Sequence, residues 1–533
     1  MSIRPKVLPF FQYARSINWR LLLFLFLLLD VKLAVKLLAL VFIVLVQPGW
    51  KMGFRLRNPR LPLFYPAVIL IALANFILYS NLRDGAQLAA FFTGLCFWLA
   101  CILAIHQLKL FVDTNSSQTI INTLLVFFVV NALVSYWQIG RIISETGSFN
   151  PYRYQGNYQK YFISTGDYIK GVSFDTSVTN AALNAIGVVF FLLRRNMGLV
   201  LLCMSVLLLT ASNLTNILLL AVLLFIFIVQ ANRDQKSMIM ACAFMLVIFL
   251  ARVSPQNNQY LSESYAKFVG HEENAKPADR KLALLSGASL LLGPQEQKEQ
   301  VALRYLDSIN NKNGINTVQV AVVTVPPDKR PSIPEANIHS QPYQHRDDTN
   351  ETRKVLIDYM QAHRLGHVEE GHLPGKLVAA RQTVDFFLSS PMKIFAGTGM
   401  GKFSSKLAFR TTGLHIAGSY PKRFVYVDPN FSFNHLSVYL AFFSRPAKLH
   451  SVVNSPNSTY LQLLGEYGLL GLTVFLLYLG FFAKGLTWKD DRLPFLLLLL
   501  GLLGTDYWFE QLSIIPVFEL ILLLHLKQDA RHA

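Results

Sequence analysis

Long apolar runs separated by short polar connections dominate this chain and decide which folds are open to it. Several runs approach the ~20 apolar residues that a helix needs to cross a bilayer. Hydrophobic residues make up 53% of the sequence, and the mean hydropathy is +0.38. These features exclude the soluble classes and predict an all-α polytopic membrane protein. Twelve transmembrane helices are predicted, at 19–29, 33–47, 62–80, 86–109, 118–139, 178–193, 197–211, 214–230, 237–252, 458–482, 494–504 and 511–526.

Basic residues cluster in the short connections between apolar runs, and this distribution predicts the orientation of the chain. By the positive-inside rule, the side that receives them is cytoplasmic, and both termini fall on that side. The same clustering accounts for the formal charge of +18, so no nucleic-acid partner is predicted. The connections concerned carry Lys51, Arg55, Arg57, Arg60, Arg194, Arg195, Arg233, Lys236, Lys484, Lys489 and Arg492.

Two long segments are predicted on the opposite, extracytoplasmic side. The first is 140–177, and the second is 253–457, which separates an N-terminal membrane region (1–252, nine crossings) from a C-terminal one (458–533, three crossings). A segment of about 200 residues is too long for a structureless connection. Its insertion at 270–370 contains helical patterns and a strand-like alternation at 317–325. The large loop region is therefore expected to contain some mixed structure.

The stretch 454–472 runs from a polar, turn-forming loop directly into a membrane-length apolar helix. It places Asn457, Tyr460 and Glu466 where an aqueous site would meet the bilayer. A structural helix entrance needs only a cap such as Ser458 and an apolar face. Glu466 lies about two turns inside, where a carboxylate is costly, and this position indicates a functional group. A structural role for Glu466 is the alternative.

A protein acting at an extracytoplasmic face has no ATP there, so the energy for a transfer must arrive with the substrate. A lipid-linked diphosphate sugar supplies it and requires cations for the diphosphate. Lys170, before the sixth crossing, and Arg381, at the start of a helix-like stretch, are the predicted cations. The alternatives are an ion pair between Arg381 and Asp385 on a solvated helix and snorkelling of Lys170 to the lipid headgroups.

Three glycines, Gly397, Gly399 and Gly401, are spaced by two residues but lack the strand-to-helix context of a nucleotide loop. The spacing predicts a tight turn, and the backbone amide at Gly399 is a candidate anion contact. The twelve histidines show no metal-ligand spacing, so neither a metal nor a cofactor is predicted. Asp506, between the last two crossings, is predicted to belong to an interfacial turn with an aromatic belt.

Three features together resemble the O-antigen ligase and O-antigen polymerase family of bacterial envelope glycosyltransferases. They are the helix entrance at 460–472, the Arg381 segment followed by 397–403, and twelve crossings with a long loop between the ninth and tenth. The resemblance covers roughly 118–252 and 376–482. It implies a fold of the C-type glycosyltransferase superfamily in the inner membrane. It also implies metal-independent transfer of a glycan from a polyprenyl-diphosphate-linked oligosaccharide donor to a glycan, lipid or protein acceptor at the periplasmic face.

The resemblance also implies roles for individual residues. Lys170 and Arg381 match the positions of two arginines that look like diphosphate contacts in the family. The family's histidine before the Tyr-Leu-Gln pattern is thought to activate the acceptor hydroxyl, but this sequence has Asn457 at the closest position. An asparagine cannot accept a proton as an imidazole does. Either Asn457 only orients the acceptor or another group acts as the base.

His450 and Glu466 are the candidates that the sequence offers for this missing base. Tyr460 and Gly399 are further candidate substrate contacts. Ligase, polymerase and protein glycosyltransferase activities all stay open, because the acceptor decides between them.

Two rival functions follow from the same sequence. A transporter or flippase for lipid-linked glycans would carry charged residues along a path through the bilayer, and few lie outside 30–36. The two halves also show no internal repeat, which disfavours many secondary transporters. The second rival is a membrane-anchored assembly factor that uses the insertion at 270–370 as a binding module.

Overall fold

The computed structural model describes residues 15–49, 52, 61–79, 84–153, 165–254, 374–413, 420–436, 438, 452 and 455–532. Within these ranges the regular structure is helical and no β-strand occurs. The predicted all-α class is therefore confirmed for this part of the chain. The insertion at 270–370, including the strand-like pattern at 317–325, lies outside the described residues, and so does His450.

The helices follow the apolar runs of the sequence, and polar or glycine residues mark many of their ends. Caps are formed by the side chains of Asn18, Asp84, Ser116 and Thr176. The α-helices in the described ranges are α1 (Trp19–Leu29), α2 (Leu33–Val46), α3 (Phe64–Tyr79), α4 (Gly85–Thr114), α5 (Ser117–Thr146), α6 (Ser177–Leu193), α7 (Met197–Leu209), α8 (Asn213–Val229), α9 (Arg233–Ile248), α10 (Gly375–Ser389), α11 (Lys393–Ala396), α12 (Lys406–Thr411), α13 (Pro429–Phe431), α14 (Thr459–Ala483), α15 (Arg492–Leu503), α16 (Trp508–Gln511) and α17 (Ile515–His532).

Four helices in the described ranges are long and apolar enough to cross a membrane. They are α4, α5, α9 with its π-helical continuation Phe249–Val253, and α14. Shorter apolar helices accompany them, namely α1, α2, α3, α6, α7, α8 and α15. Large apolar side chains point outward from these helices, with Leu45 75%, Ile228 71% and Leu477 69% exposed. Such an apolar exterior, with backbone groups satisfied inside helices, fits an α-helical membrane protein.

Helices α6 and α17 lie at the centre of the bundle. Helix α6 packs against α7, α8 and α15, while α17 packs against α4, α5 and α15. Both carry apolar residues around most of their circumference, and helices of this kind are buried on all sides. Ile186 in α6 and Phe518 in α17 are examples with no exposed surface.

One group of connections meets at one end of the bundle, which we call the basic end. Nε2 of Gln230 donates a hydrogen bond to the Trp488 carbonyl at 2.9 Å. Arg492, 4% exposed, lies 3.4 Å from the carboxylate of Asp529. The turn after α8, the turn before α15 and the end of α17 are thereby held together.

A second group of connections meets elsewhere, at what we call the site end. The Val31 N–H, between α1 and α2, donates to the Ser173 carbonyl at 2.9 Å. Oγ1 of Thr459, at the start of α14, donates to the Asp506 carbonyl at 2.7 Å. The carboxylates of Asp506 and Asp175 interact electrostatically, which joins these two contacts. The site end therefore gathers segments that are distant in sequence.

Candidate functional site

The glycine-spaced segment forms the tight turn that the sequence predicts. Gly397, Gly399 and Gly401 have φ angles of 78°, 99° and 72°, in the region that favours glycine. A Cβ atom at Gly397 would lie 2.4 Å from the carbonyl carbon of Glu466. The turn therefore packs directly on the backbone of α14, and a larger residue at 397 would push it away.

Helix α14 is interrupted where this turn packs on it. Gly468 has φ 65° and ψ −160°, which breaks the regular helix two turns after its start. The break frees carbonyl groups, and the glycine turn satisfies them. The Gly399 N–H donates to the Glu466 carbonyl at 3.0 Å, and the Thr398 N–H donates to the Gly465 carbonyl at 2.9 Å. The backbone amide of Gly399, predicted to be available to an anion, is thus used inside the protein.

Glu466 anchors the same turn with its side chain. It has no exposed surface, and its Oε1 accepts the Gly401 N–H at 2.9 Å. Nδ2 of Asn75, from α3, lies 3.3 Å from the Glu466 carbonyl and ties the break to a third helix. These contacts correspond to the structural alternative for Glu466. Its role as a base stays an untested prediction.

Buried amide side chains hold the loop that carries Lys170. Nδ2 of Asn131, in α5, donates to Oδ1 of Asn180, in α6, at 2.9 Å. The Val172 N–H donates to Oδ1 of Asn131 at 3.0 Å, and Nδ2 of Asn180 donates to the Ile169 carbonyl at 3.0 Å. Both asparagines lack exposed surface. Because buried amides are costly unless hydrogen-bonded, this network fixes the backbone on both sides of Lys170.

Gly171 completes this arrangement. Its φ angle is 61°, and Gln138 of α5 hydrogen-bonds to both its N–H, at 2.9 Å, and its carbonyl, at 3.2 Å. A Cβ atom at Gly171 would approach Oδ1 of Asn180 to 2.5 Å. The half-buried Lys170 is therefore carried on a rigid loop at the site end.

Lys376 connects the second long segment to the entrance of α14. Its Nζ donates hydrogen bonds to the backbone carbonyl of Asn457 and, at 3.2 Å, to that of Thr505. Lys376 lies in the first turn of α10. Burial lowers the pKa of Lys376 to about 7, against the attraction of Asp506, which favours the charged form.

Asp506 lies beside Asn457, in the turn between α15 and α16. Nδ2 of Asn457 donates to Oδ1 of Asp506 at 3.5 Å, and the Tyr507 N–H donates to the same oxygen at 2.8 Å. Burial raises the pKa of Asp506, while Lys406 and a hydrogen bond from Gln511 act in the opposite direction.

Further charges surround this contact. Lys36, 5% exposed, donates to the Leu28 carbonyl at 2.7 Å and interacts electrostatically with Asp175 and Lys406. Lys406, in the first turn of α12, also interacts with Asp506. We define the mixed-charge cluster as five charged residues, namely Lys36, Asp175, Lys376, Lys406 and Asp506.

The cluster is assembled from four parts of the sequence. They are α2, the segment before α6, the α10–α12 region and the turn between α15 and α16. Four of its members are half-buried, and only Lys36 is buried. Partly exposed charges of both signs, held on well-ordered elements, are suited to binding an anionic group and to moving a proton beside it.

The predicted site residues differ in where the structure puts them. Asn457 contacts the mixed-charge cluster, and Lys170 lies in the same loop as Asp175. Tyr460 is half-buried, and its Oη donates to the Leu500 carbonyl at 2.6 Å. Arg381 is 75% exposed, and its Nε lies 3.8 Å from the carboxylate of Asp385, the predicted alternative pairing. Its binding role stays a prediction.

Sequence reasoning missed Lys376 and Lys406 and interpreted Asp506 as a simple interfacial turn. Lys376 precedes Arg381 by five residues, so the two side chains project from different faces of α10. A weak signal for Lys376 was present, since a lysine follows Pro374 and Gly375 at a helix start. The contact with Asn457, 81 residues away, has no local signature.

The described residues include no group of three or more His, Cys, Asp or Glu side chains that could hold a metal ion. The comparisons with known proteins give no assignment. No protein-family model matches the sequence, and no curated protein matches it either.

Proposed function

We propose that this protein transfers a glycan from a polyprenyl-diphosphate-linked oligosaccharide to an acceptor hydroxyl. The observation that carries the proposal is the contact of Lys376 with Asn457, beside the half-buried carboxylate of Asp506. This contact links Asn457, the position that corresponds to the acceptor-activating histidine of the resembled family, to Lys376, a cation of the long second segment. The motif resemblance at 460–472 supports the same activity.

The proposal includes an orientation. Twelve helices cross the bacterial inner membrane, both termini are cytoplasmic, and the site end faces the periplasm. The grouping of connections into two ends supports this orientation. Gln230 and Arg492 meet their partners at the basic end, as the positive-inside rule expects for cytoplasmic turns. Ser173, from the first predicted outer segment, and Asp506, from the turn between the last two crossings, meet theirs at the other end.

The lysines of the site end supply the electrostatic part of the mechanism. The departing polyprenyl diphosphate gains negative charge as its bond to the sugar breaks. Preorganised cations stabilise that charge more in a partly desolvated site than in water. Lys376 and Lys406 are proposed as direct contacts, with Lys170 on its rigid loop as a third. Arg381, which is exposed, is proposed to attract the donor before it enters the site.

The proposed chemistry is a single displacement that inverts the anomeric carbon. The acceptor oxygen forms a bond to this carbon while the bond from the carbon to the diphosphate oxygen breaks. The electron pair of the broken bond leaves with the diphosphate. The energy of the diphosphate ester drives the reaction, so the mechanism requires no nucleotide.

A strain that lacks the gene tests the proposal and distinguishes a polymerase from a ligase. Loss of a polymerase leaves single repeat units on the final acceptor, whereas loss of a ligase leaves polymer on the polyprenyl carrier. Loss of a transporter leaves unpolymerised repeats on the carrier at the cytoplasmic face. The proposal expects one of the first two outcomes, restored by the wild-type gene and not by a Lys376→Met variant. The third outcome contradicts the proposal, and so does unchanged glycosylation of the polysaccharide, lipid and protein acceptors.

A further inference from the structure

We infer that Asp506 is the base that removes the proton from the acceptor hydroxyl, with Asn457 as its positioning residue. This inference rests on the proposed function and names the group that the sequence leaves open. The observation behind it is the 3.5 Å contact from Nδ2 of Asn457 to Oδ1 of Asp506. The sequence offered His450 or Glu466 for this role and treated Asp506 as a membrane-interface turn.

The surroundings of Asp506 fix its carboxylate in place. The Tyr507 N–H donates to Oδ1 at 2.8 Å, in addition to Asn457. Oγ1 of Thr459 donates to the backbone carbonyl of Asp506 at 2.7 Å and also accepts the Trp508 N–H at 3.3 Å. The turn is therefore locked onto the first residue of α14. Because hydrogen bonds hold both the backbone and the carboxylate of Asp506, the base keeps its orientation during catalysis.

Other carboxylates near the site are less suited to accept a proton from a substrate. Glu466 has no exposed surface and holds the glycine turn through Gly401. Glu510 is 6% exposed, and its Oε2 accepts the Leu407 N–H at 3.3 Å. Both of these residues are buried and hold backbone amides, whereas Asp506 is a partly exposed residue that contacts Asn457.

Asp175 is a third carboxylate, and it is also half-buried. Its Oδ2 accepts a hydrogen bond from Oγ1 of Thr179 at 3.0 Å. This carboxylate is therefore engaged by the first turn of α6. No hydrogen bond of the described residues joins Asp175 to Asn457. Among these carboxylates, Asp506 thus combines partial exposure of the residue with a contact to Asn457.

Burial makes Asp506 a stronger base than a solvent-exposed aspartate, although the neighbouring cation Lys406 acts against this effect. Burial raises its pKa, and Asp175 acts in the same direction. Lys406 and the hydrogen bonds from Gln511 and Tyr507 oppose this effect. Asp506 in turn favours the charged form of Lys376. A base is most effective when its pKa approaches the working pH, so a raised pKa favours proton transfer.

The acceptor O–H bond breaks, and its proton goes to the carboxylate of Asp506. The electron pair of the acceptor oxygen forms the new bond to the anomeric carbon. The bond between that carbon and the diphosphate oxygen breaks, and its electron pair leaves with the polyprenyl diphosphate. The proton passes from Asp506 to solvent before the next turnover.

The test compares Asp506→Asn with the wild type in the purified full-length protein, using a polyprenyl-diphosphate-linked oligosaccharide and its acceptor. Asparagine keeps the shape of aspartate but cannot take the proton. We expect kcat to fall at least about 100-fold while the donor Kd changes less than about threefold. The matched control is Asp385→Asn, which alters an exposed carboxylate on α10 and should retain wild-type kcat.

Two further variants separate a base from a structural residue. Asp506→Glu should keep part of the activity and shift the acidic limb of the kcat/KM profile. The double variant Asp506→Asn with Asn457→His places an imidazole at the neighbouring position, and it should recover activity with a new limb near pH 6.5. Wild-type kcat in a folded Asp506→Asn protein overturns the inference alone. Absence of transfer by the wild type overturns the proposed function itself.

Discussion

Nζ of Lys376 donates a hydrogen bond to the backbone carbonyl of Asn457, which links the first turn of α10 to the entrance of α14. A cation from the long second segment is thereby held at Asn457, the residue proposed to position the acceptor. The contact makes Lys376 and Asn457 parts of one arrangement. Motion of α10 relative to α14 would disturb both together.

The transfer reaction should have a bell-shaped pH dependence with Lys376 on its alkaline side. The pKa of Lys376 is lowered to about 7, so its ammonium is charged below that pH and loses its charge above it. Donor binding through this cation therefore weakens as the pH rises through about 7, while deprotonation of Asp506 increases activity from the acidic side.

Lys376→Arg checks this assignment, because a guanidinium stays charged up to about pH 12. The alkaline limb of the kcat/KM profile should move upward by more than one pH unit, even if the maximal rate is lower. If the alkaline limb of Lys376→Arg lies at the same pH as that of the wild type, a group other than Lys376 controls this limb.

Arg381→Ala should weaken donor binding without disturbing the fold. Its ion pair with Asp385 is exposed, and pairs of this kind contribute at most about 1 kcal/mol to stability. We expect an unchanged melting temperature, a donor KM raised about tenfold and a similar kcat. Asp385→Ala is the matched control, since it removes the partner and leaves the cation. Equal KM values for Arg381→Ala and the wild type remove Arg381 from donor binding.

Gly171→Ala should destabilise the protein and reduce transfer, because the loop that carries Lys170 depends on this glycine. The φ angle of 61° and the approach of a Cβ atom to Asn180 together cost about 1–3 kcal/mol. Thermal unfolding of the detergent-purified protein measures this loss. Gly140→Ala, in α5 with no atom within 4 Å of the added carbon, should melt at or slightly above the wild-type temperature. Similar melting of both variants contradicts the account of the loop.

Local patterns in the sequence were sufficient for the features that depend on local chemistry. The apolar runs predicted helices because a membrane-length apolar stretch has few other stable forms. The spacing of Gly397, Gly399 and Gly401 predicted a turn, because only glycine adopts such φ angles without strain. The polar, turn-forming loop before α14 predicted that Asn457 lies at a helix entrance, because polar residues commonly precede the first turn of a helix.

Tertiary contacts decide the remainder of the site. Lys376 and Thr505 are 129 residues apart, and no periodicity records their contact. Glu466 appeared as a candidate base because an intramembrane carboxylate is costly, yet its oxygen satisfies the Gly401 amide of a turn more than sixty residues earlier. Arg381 and Lys376 share one helix, and the face that each occupies could be assigned only from the packing of α10.

The most direct test of the central claim is release of polyprenyl diphosphate by the purified protein, with donor and acceptor present and without nucleotide or added metal. The wild type should release polyprenyl diphosphate and form the elongated or ligated glycan in equal amounts. Lys376→Met should lose at least about 90% of this release, because it removes a transition-state cation. Lys109→Met, which alters a partly exposed i,i+4 pair with Asp113 in α4, should retain it. No release by the wild type with cognate donor and acceptor, or equal release by both variants, would contradict the account.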